Sequence, residues 1–156
     1  MESRMKFLFA LLAVLFLGAP CFAQQSINDL NFINGLDRKE RSTFGDAVRF
    51  IALDMGTSTS DFNSALSTLN RKNIAKGYEK LGQSTPLRRG VIARMIARYL
   101  DLNDSLWYII FGTERYAFRA CVSEGIMPSN ASEWDSISGS ELIEIMTRVS
   151  ERSGGN

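Results

Sequence analysis

The sequence predicts an all-α fold of tandem helix-loop-helix repeats, with about five main helices. Two observations support this prediction. Apolar residues recur at helical spacing in three separate segments, and each segment opens with residues that favour a helix start. The segments are TFGDAVRFIALDMG from Thr43, TPLRRGVIARMIARYL from Thr85 and SISGSELIEIMTRV from Ser136.

The N-terminus has the features of a secretory signal peptide, which we assign to residues 1–23. Arg4 and Lys6 precede the apolar run Phe7–Leu17, and small residues stand before a polar start. The apolar run has 11 residues, whereas a transmembrane helix needs roughly 20. We therefore expect an exported protein of the periplasm or cell envelope, with no transmembrane span after cleavage of the signal peptide.

Cleavage is expected after Ala23, so that Gln24 begins the mature chain. Two alternatives remain open at this point: an uncleaved N-terminal anchor, or a lipid on Cys21. Pro20 stands directly before that cysteine, where lipidation favours a small residue. The domain boundaries that follow are an N-terminal lead-in at 24–36, a helical domain at 37–152 and a flexible tail at 153–156.

The mature chain is close to electrically neutral. The full sequence has 18 basic and 17 acidic residues, and removal of residues 1–23 leaves 16 of each sign. This balance argues against nucleic acid or an anionic membrane surface as the main partner. One cysteine remains, Cys121, so an internal disulfide cannot form, and we expect this thiol to be buried on an apolar helix face.

The composition also argues against catalysis, so we expect a non-enzymatic protein without a cofactor or metal. The sequence has no histidine, which excludes Ser–His and Cys–His catalysis and histidine-based metal sites. Asp101 and Asp104 near Trp107 form the one acidic cluster of interest. Their spacing fits a helix end followed by the cap of the next helix equally well.

Each of the three long segments is predicted to start at a helix cap. Thr85 can cap the second one, and Pro86 suits its first helical position, where a missing N–H has no cost. In the other two segments a hydroxyl can accept from the third amide while the carboxylate three residues on reaches back, which is a capping box. The residues of these boxes are Thr43 with Asp46, and Ser138 with Glu141.

The apolar stripes of the three segments share one phase. When the three segments are aligned at Phe50, Met95 and Ile145, they are separated by 45 and 50 residues. Arg94 and Arg98 fall outside the second stripe, toward water. The stripes themselves, which we expect to be buried, are Ala47, Phe50 and Ile51, then Ile92, Met95, Ile96 and Tyr99, and finally Leu142, Ile145, Met146 and Val149.

Two shorter helical segments alternate with the long ones, at Ala65–Ile74 and Ala117–Ile126. Asn73 and Gly125 stand near their ends, and both residue types tolerate a left-handed backbone, so they are predicted helix stops. Two kinds of helix therefore alternate with a period near 50 residues. This is typical of a modular repeat whose units bury each other's apolar faces.

In this order of elements the chain resembles the S-layer homology (SLH) module, in which a shorter helix ending in G-I leads through a turn to I-T-R-A-E-F. The corresponding segments are NIAKGYEKLGQSTPLRRGVIARMIARYL and GIMPSNASEWDSISGSELIEIMTRV. The resemblance covers about Asp37 to Arg152, as roughly two units plus a leading helix. The chain departs from the family motif at Val91 and Asp46 (for Glu), Phe44 and Gly139 (for Arg), and Asp61 and Thr113 (for Trp).

The resemblance implies non-covalent binding to peptidoglycan or to a wall-linked polymer, in grooves between the units. Carried over by position, the implied glycan-binding residues are Arg89, Gly77, Tyr78 and Glu141. Arg89 could hold a carboxylate through paired hydrogen bonds. Each residue also has a structural interpretation: Arg89 as a solvated first-turn residue, Glu141 as half of its capping box, and Gly77 with Tyr78 as the turn after the short helix.

A second hypothesis is a protein-interaction module that has kept this packing but lost glycan recognition. Its contact with an envelope protein would be Trp107, in the apolar segment LWYIIFG, or Trp134, in the polar segment NASEWDS. Either tryptophan could instead belong to the core. An exposed apolar patch would favour the protein partner, whereas a polar groove at Arg89 and Tyr78 would favour a glycan.

Overall fold

The computed structural model of the chain describes residues 19–57, 61–102 and 113–154. Within these ranges the fold is all-helical, as predicted. The predicted segment LWYIIFG, with Trp107, and the neighbouring Asp104 lie outside the described residues. The helices are α1 (Ala19–Asp37), α2 (Phe44–Asp54), α3 (Phe62–Arg71), α4 (Arg89–Tyr99), α5 (Glu114–Ser123) and α6 (Gly139–Ser153).

The chain divides into two compact units, residues 1–34 and 35–156. The first unit contains most of α1, which spans the predicted cleavage site after Ala23 and on which Ile27 and Leu30 are exposed. The sequence interpretation assigned no helix to this lead-in. Across the described ranges, none of the helices combines the length and apolar character that crossing a membrane requires.

In the second unit the long helices α2, α4 and α6 start at a closed ring of backbone hydrogen bonds. The first N–H of each helix donates to a carbonyl in the loop that precedes the next long helix in the ring. Such N–H groups have no acceptor within their own helix, so the ring satisfies them. The donor–acceptor pairs are Phe44 to Thr85 (2.8 Å), Arg89 to Asp135 (2.9 Å) and Gly139 to Lys39 (2.8 Å).

The residue before each helix cap also belongs to this ring. Ser42, Leu87 and Ile137 are at most 1% exposed. The N–H of Leu87 donates to the carbonyl of Ser42, and the N–H of Ser42 donates to that of Ile137. Because these positions are 45 and 50 residues apart in the sequence, the three long helices start at equivalent places around the ring.

The predicted caps of α2 and α6 are present, the second in part. Thr43 and Asp46 form a complete capping box. Ser138 caps α6 by accepting from the N–H of Glu141 at 3.2 Å. The carboxylate of Glu141, however, forms an ion pair with Arg89. That pairing replaces the predicted return bond of the box.

The predicted start of α4 is wrong. The helix begins at Arg89, three residues after Pro86, and its cap residue Arg88 makes no side-chain capping hydrogen bond. Pro86 instead lies opposite Thr43 in an isolated antiparallel β-bridge. Carbonyls from the loop before α6 accept from the first N–H groups of α4, so this helix start is set by the ring rather than by a local cap.

The predicted stops of the short helices α3 and α5 are confirmed. Asn73 has a φ of 60° and Gly125 a φ of 70°, the left-handed conformation typical of a helix C-terminus. Arg98 then donates to the carbonyl of Ile74 at 3.3 Å, and Arg148 donates to that of Ile126 at 3.2 Å. Arg98 was expected to point toward water, but it fastens α4 to the end of α3.

The predicted stripes are buried, apart from the half-buried Phe50 and Tyr99. Cys121 is fully buried, as predicted, and burial raises the pKa of its thiol to about 12. At the far ends of the long helices, the carboxylate of Asp54 in α2 accepts hydrogen bonds from Tyr99 Oη at 2.8 Å and from the hydroxyl of Ser150. Helix α6 reaches Ser153, the first residue of the predicted tail.

Candidate functional site

The structure brings Arg89 and Glu141 together in the ring. The Arg89 guanidinium forms an ion pair with Glu141, and its Nε lies 3.9 Å from Oδ2 of Asp135. Only 12% of the arginine side chain is exposed. The ion pair therefore connects the first turn of α4 to the first turn of α6. Glycan binding by Arg89 and Glu141 stays a prediction.

Gly77 and Tyr78 form the turn after α3, where Gly77 has a φ of 90° that favours glycine. Tyr78 is 6% exposed. Its ring centroid lies 6.3 Å from that of Phe44, and the Arg94 guanidinium lies 5.7 Å over the ring. Protein groups therefore cover this aromatic ring, which leaves little surface for a sugar.

A chain of polar contacts leads from Tyr78 to the surface. Tyr78 Oη donates to Glu114 Oε1 at 2.9 Å, and Glu114 Oε2 lies 3.7 Å from Nη2 of Arg88. The Arg88 guanidinium lies 5.1 Å from the ring centroid of Trp134, a typical cation–π distance. Trp134 is 65% exposed. The buried Tyr78 thus hydrogen-bonds the Glu114 carboxylate. That carboxylate lies near the Arg88 guanidinium, which packs against the exposed indole.

Trp134 lies in a turn that the ring holds in place. The carboxylate of Asp135 accepts from the N–H of Ser132 at 2.8 Å, and Ser132 Oγ accepts from the N–H of Trp134 at 3.3 Å. The carbonyls of Glu133 and Asp135 accept from the first two N–H groups of α4. These bonds place Trp134 beside Arg88, the residue that precedes α4.

These residues border a groove of about 520 Å³, which we call the tryptophan groove. It combines an exposed aromatic face with charged groups of both signs, so it offers flat apolar contact together with hydrogen-bond donors and acceptors. None of the described residues form a group of three or more Cys, Asp or Glu placed to hold a metal ion. The groove is lined by Arg88, Arg94, Thr113, Glu114, Arg115, Glu133 and Trp134.

Of the tryptophans singled out from the sequence, Trp134 is exposed at this groove and Trp107 lies outside the described residues. Sequence reasoning missed Arg88 and Glu114, and it wrongly placed Arg94 toward water, whereas this side chain is half-buried with its guanidinium over the Tyr78 ring. The motif alignment selected Arg89 from the pair RR, and nothing local distinguishes its neighbour. The hydrogen bond from Tyr78 to Glu114 joins residues 36 positions apart, which no helical spacing reveals.

In comparisons with known proteins, no family model matches the chain and no curated protein or solved structure shows significant similarity. The SLH resemblance therefore stays a prediction that rests on the sequence segments quoted above.

We expect the contribution of the Tyr78 phenol to the free energy of unfolding to decrease at alkaline pH. Burial, followed by the Glu114 charge, raises the pKa of Tyr78 from 10.0 to about 12. The fold therefore favours the neutral phenol; this stabilisation is complete below pH 10 and is lost as the pH rises to 12, because only the unfolded phenol ionises in that interval. From pH 10 to 12, the wild type should lose about 1–2 kcal/mol more unfolding free energy than Tyr78→Phe.

Urea unfolding of both proteins at several pH values measures this difference. Lysine and arginine titrations, and that of Tyr99, are common to the two proteins and cancel in the comparison. Equal losses of stability in the two proteins would contradict the assigned role of the Tyr78 phenol.

Proposed function

We propose that this protein is a non-catalytic, exported module of the cell envelope that binds peptidoglycan or a wall-linked glycan in the tryptophan groove. The observation that carries the proposal is the exposed indole of Trp134 with the Arg88 guanidinium 5.1 Å from its ring. The flat indole face suits the C–H groups of a sugar ring.

The neighbouring arginines 88 and 89 differ in what they can offer a ligand. Arg88 has 43% of its side chain exposed and is 3.7 Å from the nearest oxygen of Glu114, beyond a good hydrogen bond. Arg89 has 12% exposed and is ion-paired in the ring. Arg88 therefore keeps donors for a carboxylate on the glycan, and we assign it the role that the sequence motif suggested for Arg89.

The surroundings of Trp134 favour a glycan over a protein partner. In the described part of residues 35–156 Trp134 is the single large hydrophobic residue that is highly exposed, whereas a stable protein interface usually has a contiguous apolar centre. Five of the seven residues that line the groove are instead charged. The predicted signal peptide and the SLH resemblance further support a ligand in the cell wall.

We expect Trp134→Ala and Arg88→Ala each to weaken binding to purified cell-wall sacculi by about tenfold or more, since each removes a central contact. Trp134→Tyr should retain part of the affinity because it keeps an aromatic face. Lys72→Ala is the matched control, a loss of one exposed cation that does not line the groove. Co-sedimentation at increasing sacculus concentration gives the affinities.

Sacculi stripped of attached polymers distinguish the two ligands, since binding lost on stripping identifies the polymer. Wild-type pelleting no greater than that of an unrelated protein would exclude wall binding. Trp134→Ala pelleting at the wild-type level would show that the groove is not the site.

A further inference from the structure

The tryptophan groove is continuous with a second groove along α5. Arg115 and Glu133 line both grooves. The second groove, of about 410 Å³, is also lined by Phe118, Arg119 and Ser129, and we call it the α5 groove. Both volumes fall in the roughly 300–1,000 Å³ range of small-ligand sites. Each groove therefore suits a ligand about the size of a disaccharide.

The two grooves concentrate positive charge in a chain that is nearly neutral. Together they are lined by four arginines and two glutamates, whereas the whole chain has a net charge of +1. Charges of one sign along a cleft raise the local concentration of ligands of the opposite sign. The arginines are Arg88, Arg94, Arg115 and Arg119.

The arginines on α5 are arranged in a row. Arg115 and Arg119 are four residues apart and therefore lie on the same face of the helix, one turn from each other. Both are exposed, and the Arg119 guanidinium lies 5.9 Å from the ring centroid of Tyr116. The row extends away from Trp134, since Arg115 borders both grooves and Arg119 borders the α5 groove.

On the basis of the proposed function, we propose that the ligand is an extended anionic polysaccharide that occupies both grooves at once. One sugar of the chain stacks on Trp134, and acidic substituents farther along the chain pair with Arg115 and Arg119. A disaccharide fills the tryptophan groove alone, whereas a chain about twice as long reaches Arg119. Affinity therefore depends on chain length up to the span of the two grooves.

The test uses peptide-free glycan strands, released from peptidoglycan by an amidase and fractionated into di-, tetra- and hexasaccharides. Each muramic acid then has a free lactyl carboxylate. Chito-oligosaccharides of equal length provide a similar backbone without that charge. A second acidic series, wall polymer released from sacculi by mild acid and separated by size, covers the polymer ligand. Calorimetry with the purified protein gives the dissociation constants.

We expect the affinity for an acidic series to rise by about tenfold from the shortest chain to the chain that spans both grooves, and to rise little beyond it. Arg119→Ala should reduce binding of the long chain to the level of the short one and leave the short one unchanged. Trp134→Ala should weaken both, and the uncharged series should not respond to Arg119→Ala. Lys72→Ala, with an exposed cation removed elsewhere, should match the wild type.

The two proposals fail in different ways. Absence of binding by both acidic series at every length would overturn the proposed function, and this inference with it. Binding that Trp134→Ala weakens, but that is equal at all lengths or insensitive to Arg119→Ala, would overturn the extended-chain inference alone. Uncharged chains that bind as tightly as acidic ones would overturn the assigned anionic character of the ligand.

Discussion

Replacement of Gly139 by alanine is expected to destabilise the protein by about 3 kcal/mol or more, at the upper end of overpacking effects. A Cβ atom at this position would overlap the carbonyl oxygen of Leu36 and lie 2.6 Å from its carbonyl carbon. The obstacle is backbone, which cannot rotate away as a side chain can. Relief would require α6 to move out of the ring, with loss of the hydrogen bond from Gly139 N–H to the carbonyl of Lys39.

Two other glycines provide matched controls. At Gly35, within α1, an added Cβ would meet no atom within 4 Å, so Gly35→Ala should be neutral or stabilise the protein by up to about 1 kcal/mol. At Gly90 the added Cβ would lie 2.8 Å from Glu114 Cβ and 3.1 Å from the carbonyl oxygen of Glu133. Because these contacts are less close than the overlap at Gly139, Gly90→Ala should cost about 1–2 kcal/mol.

Urea unfolding followed by circular dichroism ranks the three variants by free energy of unfolding. A Gly139→Ala protein as stable as Gly35→Ala would contradict the close approach of Leu36 to the start of α6, and with it the closed ring.

Arg89→Met is expected to lower the free energy of unfolding by about 2–3 kcal/mol. The substitution keeps an apolar stem of similar length but leaves Glu141, 22% exposed, without its ion-pair partner. Removal of one member of a buried pair costs about 3–5 kcal/mol, and the partial exposure of this pair reduces that figure. Asp135, 51% exposed, remains solvated in the variant.

The double variant Arg89→Met/Glu141→Gln tests whether the charge pairing is responsible. It should be more stable than Arg89→Met by about 1 kcal/mol, because no unpaired carboxylate is left in the ring. Glu141→Gln alone, in the wild-type background, has its own cost in unfolding free energy. If the double variant is less stable than Arg89→Met by that full cost, the two charges do not interact.

Arg88→Met separates stability from binding at the adjacent position. Because 43% of the Arg88 side chain is exposed and its nearest Glu114 oxygen is 3.7 Å away, its substitution should change the unfolding free energy by less than about 1 kcal/mol, while it weakens binding to sacculi. Arg89→Met should lower the unfolding free energy but retain binding to sacculi at temperatures where it stays folded. Wall binding lost in folded Arg89→Met and retained in Arg88→Met would move the site back to the position that the family motif suggests.

Much of the local architecture could be predicted because it depends on neighbouring residues. Thr43 and Asp46 form their capping box within one helical turn, and Asn73 and Gly125 adopt the left-handed conformation that their residue types tolerate. The steps of 45 and 50 residues between the long segments recur as the spacing of the ring positions. In each case the determining contacts lie close together in the chain or repeat along it.

The candidate site could be predicted only in part, for the opposite reason. Trp134 was singled out because a tryptophan in a polar segment is conspicuous, but its companion Arg88 was not. Tyr78 was a candidate for sugar stacking, yet it is covered by Phe44 and Arg94. These outcomes depend on which helices meet, and no local pattern encodes that.

The sequence by itself determined that the chain forms helices, where the two short helices α3 and α5 stop, and that long and short helices alternate with a period near 50 residues. Periodicity, caps and left-handed stops act within a few residues, so they can be recognised along the chain. The tertiary structure alone decided that α4 starts at Arg89, that Glu141 turns from its cap to that arginine, and that Arg88 lies beneath Trp134 at a groove. The reason is the ring: backbone groups from three distant loops satisfy one another there, and at α4 their pairing, rather than a local cap, sets the helix start.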